Sequence, residues 1–263
     1  MTATVGGAGD EPRPGSRRPS TSLRYAVLCD LAERIVALRP GERVAVAVDG
    51  FDGAGKTVLA DQLAEVIGAL GGPGTGPRDV LRVGIDGFHR PRAQRVARGR
   101  GPETFYEDSY DYAAFRSVVV EPFRRGEPVT PAVNDVEADR PVHPDPVPVG
   151  ADTVLLVDGI FLQRPGLADV WDATVWVEVP FAVSVPRGNA RFAAAADQPA
   201  DQPGDQPGDQ PAAQSHDPDP EAESNRRYVG GQRLYLADAD PRAHATWVLE
   251  NTDLDRPVLR EHR

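Results

Sequence analysis

The chain has 263 residues, enough for one sizeable α/β domain or two small ones, and 40% of them are hydrophobic, which is typical of a globular protein. A net charge of −11 without any Lys/Arg-rich stripe disfavours a nucleic-acid partner or an anionic membrane. One cysteine, Cys29, excludes an internal disulfide and a cysteine-rich metal site, and without a membrane span or a secretory signal we expect a soluble, cytoplasmic protein.

The chain begins with a segment, residues 1–20, that is small, polar and rich in Pro and Gly, which predicts a disordered tail. The remainder, 21–263, is predicted to form one domain. In chain order the apolar patterns predict a helix over 21–38, a strand over 43–50, a helix over 58–70, a strand over 80–88, a helix over 112–126, and strands over 128–135, 152–161, 173–180 and 246–253. Strands that alternate with helices favour the α/β class, a mostly parallel sheet with helices on both faces.

One segment does not belong to that sheet. Residues 197–211 read DQPADQPGDQPGDQP, a repeat of period four in which proline forbids a helix and no apolar residue offers a core. We predict a disordered Asp-Gln-Pro insertion at about 195–222. It lies between two Arg-bearing helical patterns, 181–195 and 224–238, which are candidates for a lid.

The stretch GFDGAGKT, residues 50–57, fits the pattern G-x-x-x-x-G-K-[ST] of a phosphate-binding loop. Its glycines let backbone N–H groups approach phosphate oxygens, and the helix that starts near Gly55 directs its positive dipole end at them. Lys56 would supply a charge to the β- and γ-phosphates, and Thr57 a hydroxyl to Mg²⁺. The loop follows a strand and opens a helix, so the fold class is predicted to be that of P-loop NTPases, a three-layer sandwich.

This loop alone does not separate a kinase from an ATPase or a GTPase. No N-K-x-D string, which reads guanine in GTPases, occurs in the chain. Asp49, Asp86 and Asp158 each precede a glycine at the end of a predicted strand, where the ligand crevice of such a sheet lies. They are predicted to face the loop, either around Mg²⁺ or, for Asp86, as the general base for a phosphoryl acceptor. The alternative is that Asp-Gly only makes a turn after each strand.

Several segments together resemble the uridine kinase and phosphoribulokinase group of P-loop kinases. The matching segments are VAVDGFDGAGKT, VGIDGFHRPR, FYEDSYDY, LLVDGIFL, NRRYVGGQRLYL and ENTD. The resemblance is strongest to the uridine kinase-like proteins of high-GC bacteria. It implies a kinase that uses ATP and Mg²⁺, with uridine or cytidine phosphorylated at the 5′ hydroxyl.

The resemblance also implies a role for individual residues. Asp86, Lys56 and Arg191 would be catalytic, with Asp86 as the base and Arg191 as a lid arginine. Thr57 and Asp158 would hold Mg²⁺. The residues implied to bind the nucleotide are Gly50, Asp52, Gly53, Ala54, Gly55, Lys56, Thr57, Val58, Arg187 and Asn251. The residues implied to bind the acceptor are Asp86, Asp108, Arg227 and Gln232. His89 follows Asp86 closely in the sequence and is a further candidate for contact with the acceptor, with an ordinary loop histidine as the alternative.

The chain departs from that family at two places. Val133 and Ala138 stand where uridine kinases offer an aromatic residue and a histidine to uracil, so a pantothenate-like or sugar-like hydroxyl is an alternative acceptor. Pro186 and Gly188 are expected to weaken the helix that carries Arg187. The motifs are also compatible with a P-loop ATPase that uses no acceptor and with an inactive binding module.

Two groups of residues remain open. The loop 90–102 holds five arginines, for which a solvated surface is favoured over contact with an anionic substrate. The aromatic residues Tyr110 and Tyr112, among others, could form a wall of an acceptor pocket or belong to the core.

Overall fold

The computed structural model describes residues 22–70, 78–196 and 217–261, without the side chains of 192–196. The predicted tail over 1–20 and the Asp-Gln-Pro repeat lie outside the described residues. Both borders of the predicted insertion are described, because a helix continues to Ala196 and the chain is described again from Asp217.

Six strands form one sheet, in which only the last strand is antiparallel to its neighbour. In the order of the sheet they are β2 (Val80–Gly84), β5 (Val154–Gly159), β1 (Val44–Gly50), β6 (Ala173–Glu178), β7 (Trp247–Glu250) and β8 (Val258–Glu261). A separate two-stranded ladder is formed by β3 (Asn134–Asp135) and β4 (Arg140–Pro141). The predicted α/β fold with a mostly parallel sheet is confirmed.

The helices cover both faces of the sheet. They are α1 (Leu23–Val36), α2 (Lys56–Ala69), α3 (Arg92–Arg95), α4 (Pro102–Asp108), α5 (Tyr112–Phe115), α6 (Glu121–Arg125), α7 (Phe181–Ala196), α8 (Arg226–Ala239) and α9 (Pro241–His244). Arg116–Val120 is a π-helical turn that joins α5 to α6, so the predicted helix over 112–126 is one continuous helical run. No helix in the part of the chain that the structure describes has the length and apolarity needed to cross a bilayer.

Strands β1 and β5 are adjacent interior strands of the sheet, and every one of their residues is buried. Alternate side chains of β1 enter opposite cores: Ala45 and Ala47 pack with the cluster under α4 and α8, and Val46 and Val48 pack with α1 and α2. An alternation of this kind gives a continuous apolar run rather than a polar face, as expected for a strand covered on both sides.

Three predicted strands differ from the observed ones. The strand predicted over 80–88 ends at Gly84, and Ile85–Phe88 forms a 3₁₀ turn in which His89 N donates to Asp86 O at 3.3 Å. The strand predicted over 246–253 as the last in the chain is followed by β8, whose mostly exposed residues lack an apolar run, as is common at the edge of a sheet. The strand predicted over 128–135 is reduced to β3 and a single bridge between Val129 and Val147.

Helix α7 passes through Pro186 and Gly188 without a break, so these two residues do not end the helix that carries Arg187. Pro186 lies in the second turn, where it removes only one intrahelical donor. Gly188 faces the phosphate-binding loop, since a Cβ there would lie 3.8 Å from Gly53 N. This is an ordinary contact distance, so the packing at this position would also admit a Cβ.

Candidate functional site

The loop after β1 has the backbone of a phosphate cradle. Gly53 and Gly55 adopt left-handed conformations, with φ of +72° and +88°, and α2 begins directly at Lys56. The Lys56 ammonium donates to the Phe51 carbonyl at 2.7 Å, so the charged group reaches back over its own loop. The first turn of α2 leaves backbone N–H groups without intrahelical acceptors, and these groups with a buried lysine suit an anion.

Helix α7 lies directly against this loop. A Cβ on Gly53 would be 2.0 Å from Ser184 O and 2.7 Å from Gly188 N, so backbone meets backbone at this crossing. Burial raises the pKa of the Asp52 carboxyl in the loop, and the charge of Arg191, one turn further along α7, opposes that rise. The helix predicted to carry lid arginines is thus beside the loop, with Arg191 on the side of Asp52.

Helix α8 braces the start of the loop through Gln232. The Gln232 side chain is buried and its Oε1 accepts from Asp52 N at 2.9 Å, while its Nε2 donates to Tyr228 O at 3.1 Å. Gln232 therefore contacts the loop itself, across a separation of 180 residues that no local sequence pattern bridges.

Asp49 is enclosed, although it was predicted to face the loop with Asp86 and Asp158. Its carboxylate is fully buried and accepts from Gly50 N at 2.8 Å, from Gln163 Nε2 at 3.2 Å and from the Tyr235 hydroxyl. Burial raises the pKa of Asp49, and the hydrogen bonds from Tyr235 and Gln163 oppose that rise. Asp49 ties β1 to α8 and does not line an open crevice.

On the opposite side of the loop, Asn251 holds its backbone. Asn251 is buried, and its Nδ2 donates to Ala54 O at 2.8 Å. Arg187 donates to the carbonyls of Asn251 and Thr252 at 3.1 and 2.6 Å. Arg187 and Asn251, which were predicted to bind the nucleotide, therefore lie next to the loop and form these hydrogen bonds within the protein.

Thr57 and Asp158 are brought together as predicted for a pair of metal ligands. Thr57 Oγ1 donates to Asp158 Oδ2 at 2.7 Å, and Asp158 Oδ1 pairs with Arg82 at 3.0 Å. A hydroxyl and a carboxylate are oxygen donors of the kind that Mg²⁺ takes from a protein when phosphates supply the remainder. This donor set fits Mg²⁺. Among the described residues, no group of three or more His, Cys, Asp or Glu side chains is arranged to hold a metal ion.

Asp86 is the acidic residue that remains open to solvent. Its side chain is 68% exposed, and its Oδ1 accepts from the Tyr110 hydroxyl at 3.1 Å. The pKa of Asp52 in the loop, raised mainly by burial, is raised further by the charge of Asp86. His89 packs on the Tyr110 ring with centroids 4.3 Å apart. Asp86 is therefore a neighbour of His89 and lies within electrostatic reach of Asp52 in the loop.

The last two residues of the predicted acceptor site have other partners. Asp108 forms a 2.8 Å ion pair with Arg98, a member of the basic loop. Arg227 lies 6.0 Å from the centroids of the Phe105 and Tyr228 rings and lines a cleft of about 430 Å³ where the start of α8 meets α4. Neither the ion pair of Asp108 with Arg98 nor the cleft that Arg227 lines includes a residue of the phosphate-binding loop.

Comparison with solved structures identifies the fold. A protein from Bacillus stearothermophilus described as a possible uridine kinase is 20% identical, with a TM-score of 0.61 over 85% of this chain and 97% of that one. A provisionally assigned fructose transport system kinase from Silicibacter is 21% identical, with a TM-score of 0.59 over 83% of this chain and 95% of that one. No protein-family model and no curated protein sequence matches the chain. The chain shares the three-layer α/β fold of these two structures.

Proposed function

We propose that this protein transfers the γ-phosphoryl group of ATP to a hydroxyl group of a small molecule. The observation that carries the proposal is the open carboxylate of Asp86 within electrostatic reach of the phosphate-binding loop. A hydrolase uses such a group to orient a water molecule, whereas a kinase uses it as a base with room beside it for a second substrate, so dependence on an acceptor separates the two.

The loop would bind the triphosphate through its backbone N–H groups, with Gly50, Gly53, Gly55 and Val58 in or beside the cradle. Lys56 would leave the Phe51 carbonyl and turn its charge to the β- and γ-phosphates. Thr57 and Asp158 would hold Mg²⁺, which neutralises phosphate charge when bound. Arg191 would add positive charge from α7, where charge develops in the transition state.

Asp86 would accept the proton of the acceptor hydroxyl as its oxygen forms a bond to the γ-phosphorus. The bond between the γ-phosphorus and the β–γ bridging oxygen breaks, and ADP leaves with that bond's electron pair. The Tyr110 hydroxyl, a donor to Asp86 at 3.1 Å, would orient the carboxylate toward the incoming hydroxyl.

The remaining assignments belong to the same proposal. Arg187 and Asn251 would contact the nucleotide, and Asp108, Arg227 and Gln232 the acceptor, as the resemblance implies, with His89 as a further candidate for contact with the acceptor. Uridine or cytidine is the acceptor that the resemblance favours. The structural neighbours include a sugar-kinase-like protein as well, so another hydroxyl compound is the second candidate.

The test is ADP release from purified protein with ATP, Mg²⁺ and a panel of nucleosides, sugars and hydroxy acids. A kinase gives ADP release that depends on one acceptor class and falls by about 100-fold or more in Asp86→Asn, as expected for loss of a general base. ADP release that needs no acceptor and is unchanged in Asp86→Asn would indicate an ATPase instead. Binding of ATP without turnover on any acceptor would indicate an inactive binding module.

A further inference from the structure

Two arginines with different origins in the sequence contact the tyrosines that lead away from Asp86. Arg90 follows the 3₁₀ turn that holds Asp86, and its Nε donates to Tyr110 O at 3.1 Å. Arg164 follows β5, and its NH1 donates to Tyr106 O at 3.2 Å. Both side chains are half-buried and anchored by a main-chain carbonyl, and Arg164 also lies over the Tyr106 ring at 4.8 Å. A guanidinium has five N–H groups, so these contacts do not use all of its donors.

Tyrosine rings connect these arginines to the candidate base. The Tyr110 hydroxyl is at Asp86, whereas the Tyr110 carbonyl is at Arg90. The Tyr112 ring lies 5.8 Å from the Tyr110 ring, and the Arg164 guanidinium lies over the Tyr112 ring at 4.5 Å. One tyrosine side chain therefore separates the base from one arginine, and a second ring leads to the other.

The positive charges of Arg90 and Arg164 both reach the hydroxyl group of Tyr112. Burial raises the pKa of the Tyr112 hydroxyl to about 12, and the charges of Arg164 and Arg90 oppose that rise. The hydroxyl of Tyr110, beside Asp86, is in turn within electrostatic reach of Tyr112 and of Asp52 in the loop. The order across the site is thus the phosphate-binding loop, Asp86 with Tyr110, then Tyr112 with two cationic groups.

The acidic neighbours do not neutralise this pair. Among the residues that the structure describes, neither Arg90 nor Arg164 forms an ion pair with a carboxylate. Asp238 is within electrostatic reach of Arg164 but accepts its hydrogen bond from the Tyr106 hydroxyl, and Asp49 is enclosed behind Tyr112. Burial lowers the pKa of Arg164, but Tyr112, Tyr106 and Asp238 outweigh that effect, so its surroundings favour the charged form. Two half-buried guanidinium groups that form no ion pair with a described carboxylate are matched better to an anion than to an uncharged ring.

We propose that the acceptor carries an anionic group, a carboxylate or a phosphate, which Arg90 and Arg164 bind while its hydroxyl group meets Asp86. This inference rests on the proposed function, because it names the class of acceptor for the same site. It changes the expectation for two residues: Arg90 becomes a substrate contact within a basic loop predicted to be solvated, and Arg164 is a site residue that no sequence motif singles out.

The neighbouring arginines of the basic loop show why Arg90 is distinct. Arg98 pairs with Glu107 and Asp108, and Arg95 is buried, with its Nε on Arg90 O at 2.7 Å. These two guanidinium groups serve the loop's own structure. Arg90 is held by the same loop but is oriented toward the tyrosines that border the candidate base.

The experiment compares binding within matched pairs of compounds that differ in charge: glycerate with glycerol, pantothenate with pantothenyl alcohol, and ribose 5-phosphate with ribose, with uridine as a neutral reference. Binding to the Asp86→Asn protein with a non-hydrolysable ATP analogue is measured by calorimetry, so the result does not depend on turnover. We expect the anionic member of at least one pair to bind about 10- to 100-fold more tightly than its neutral partner, the range of a charged hydrogen bond.

Arg90→Gln and Arg164→Gln should each remove most of that preference without weakening the neutral compound. Arg164→Lys should retain part of it, which separates loss of charge from loss of packing between the tyrosines. Arg125→Gln is the matched control, because Arg125 pairs with Glu127 at the surface. The glycerate and pantothenate pairs test recognition of a carboxylate, and the ribose 5-phosphate pair tests recognition of a phosphate.

Equal binding within every pair, a preference that survives both arginine substitutions, or no measurable binding by any anionic compound would overturn the inference. These outcomes are distinct from failure of the proposed function. If uridine is phosphorylated in an Asp86-dependent reaction and anions do not bind, the function stands and the inference fails. If anions bind through the arginines and no compound is phosphorylated, the arginine site is supported and the proposed kinase function fails.

Discussion

At the scale of single residues, the three acidic strand ends have three different surroundings. Asp49 is enclosed by donors, Asp158 shares hydrogen bonds with Thr57 and Arg82, and Asp86 is open. The same Asp-Gly pair therefore supports a structural tie, a candidate metal ligand and a candidate base. What differs is the element opposite each carboxylate, which the local sequence does not encode.

Lys56 is the one lysine of the chain, which makes its role directly testable. We expect an acyl-phosphate derivative of ATP, which acylates amines near the triphosphate, to label Lys56 and to be blocked by excess ATP. Lys56→Met should weaken ATP binding by about 10- to 100-fold, because a charge-assisted contact to phosphate is lost. Labelling that ATP does not block would place the nucleotide elsewhere, and circular dichroism of Lys56→Met checks that the fold is intact.

The enclosed carboxylate of Asp49 predicts a pH effect on stability. Because burial raises its folded pKa, the group costs nothing well below its ordinary pKa and penalises folding once the unfolded chain ionises. The free energy of unfolding should therefore fall, for this group, as the pH rises from about 4 to about 7. In Asp49→Asn this pH-dependent part of the free energy of unfolding should vanish. When both proteins are unfolded with urea across this range, the difference between their free energies of unfolding should therefore change with pH. A parallel pair of curves would contradict the assignment.

At the scale of elements, the loop is held between helices that are far apart in sequence. Helix α7 crosses it at Gly53, α8 reaches Asp52 through Gln232, and Asn251 after β7 holds Ala54. Arg24 of α1 in turn donates to Asn251 Oδ1 at 3.2 Å. The cradle is therefore set by tertiary contacts as much as by its own glycines.

Two glycines with similar backbone angles separate these contributions. Gly53 and Gly41 have φ of +72° and +79°, but only Gly53 has backbone in the space that a Cβ would occupy. Gly41→Ala should cost about 1 kcal/mol from backbone strain alone. Gly53→Ala should cost about 3 kcal/mol or more, since strain and a collision with α7 add, and it should also lose ATP binding. Equal losses in chemical unfolding would show that α7 does not press on the loop.

At the scale of the whole molecule, the site joins contributions from both ends of the described chain, so ligand binding should stabilise all of it. ATP with Mg²⁺ at about 100 times its dissociation constant should add about 2.7 kcal/mol to the free energy of unfolding. For a chain of this size the unfolding midpoint should rise by roughly 5–10 °C. Lys56→Met should show little of this rise at the same concentration, and an equal rise in both proteins would argue against binding at the loop.

The sequence predicts the parts of this molecule that depend on neighbouring residues. The motif GFDGAGKT with a strand before it and a helix after it is sufficient for the cradle, and period alone locates β1, β5 and β6. Contacts such as Gln232 with Asp52 depend on how the chain returns after 180 residues, and no local pattern encodes them. Arg164 and the antiparallel β8 were missed for the same reason, because their surroundings exist only in the folded chain.

The fate of the γ-phosphoryl group in a single turnover tests the proposed phosphoryl transfer most directly. Protein in excess over ATP labelled at the γ-phosphate is mixed with Mg²⁺ and the acceptor that binds best, and the labelled products are separated. We predict that the label appears in the phosphorylated acceptor at the rate of ADP formation, and that Asp86→Asn slows this transfer by about 100-fold or more. Label released as inorganic phosphate at a rate that neither the acceptor nor Asp86→Asn changes would contradict a kinase.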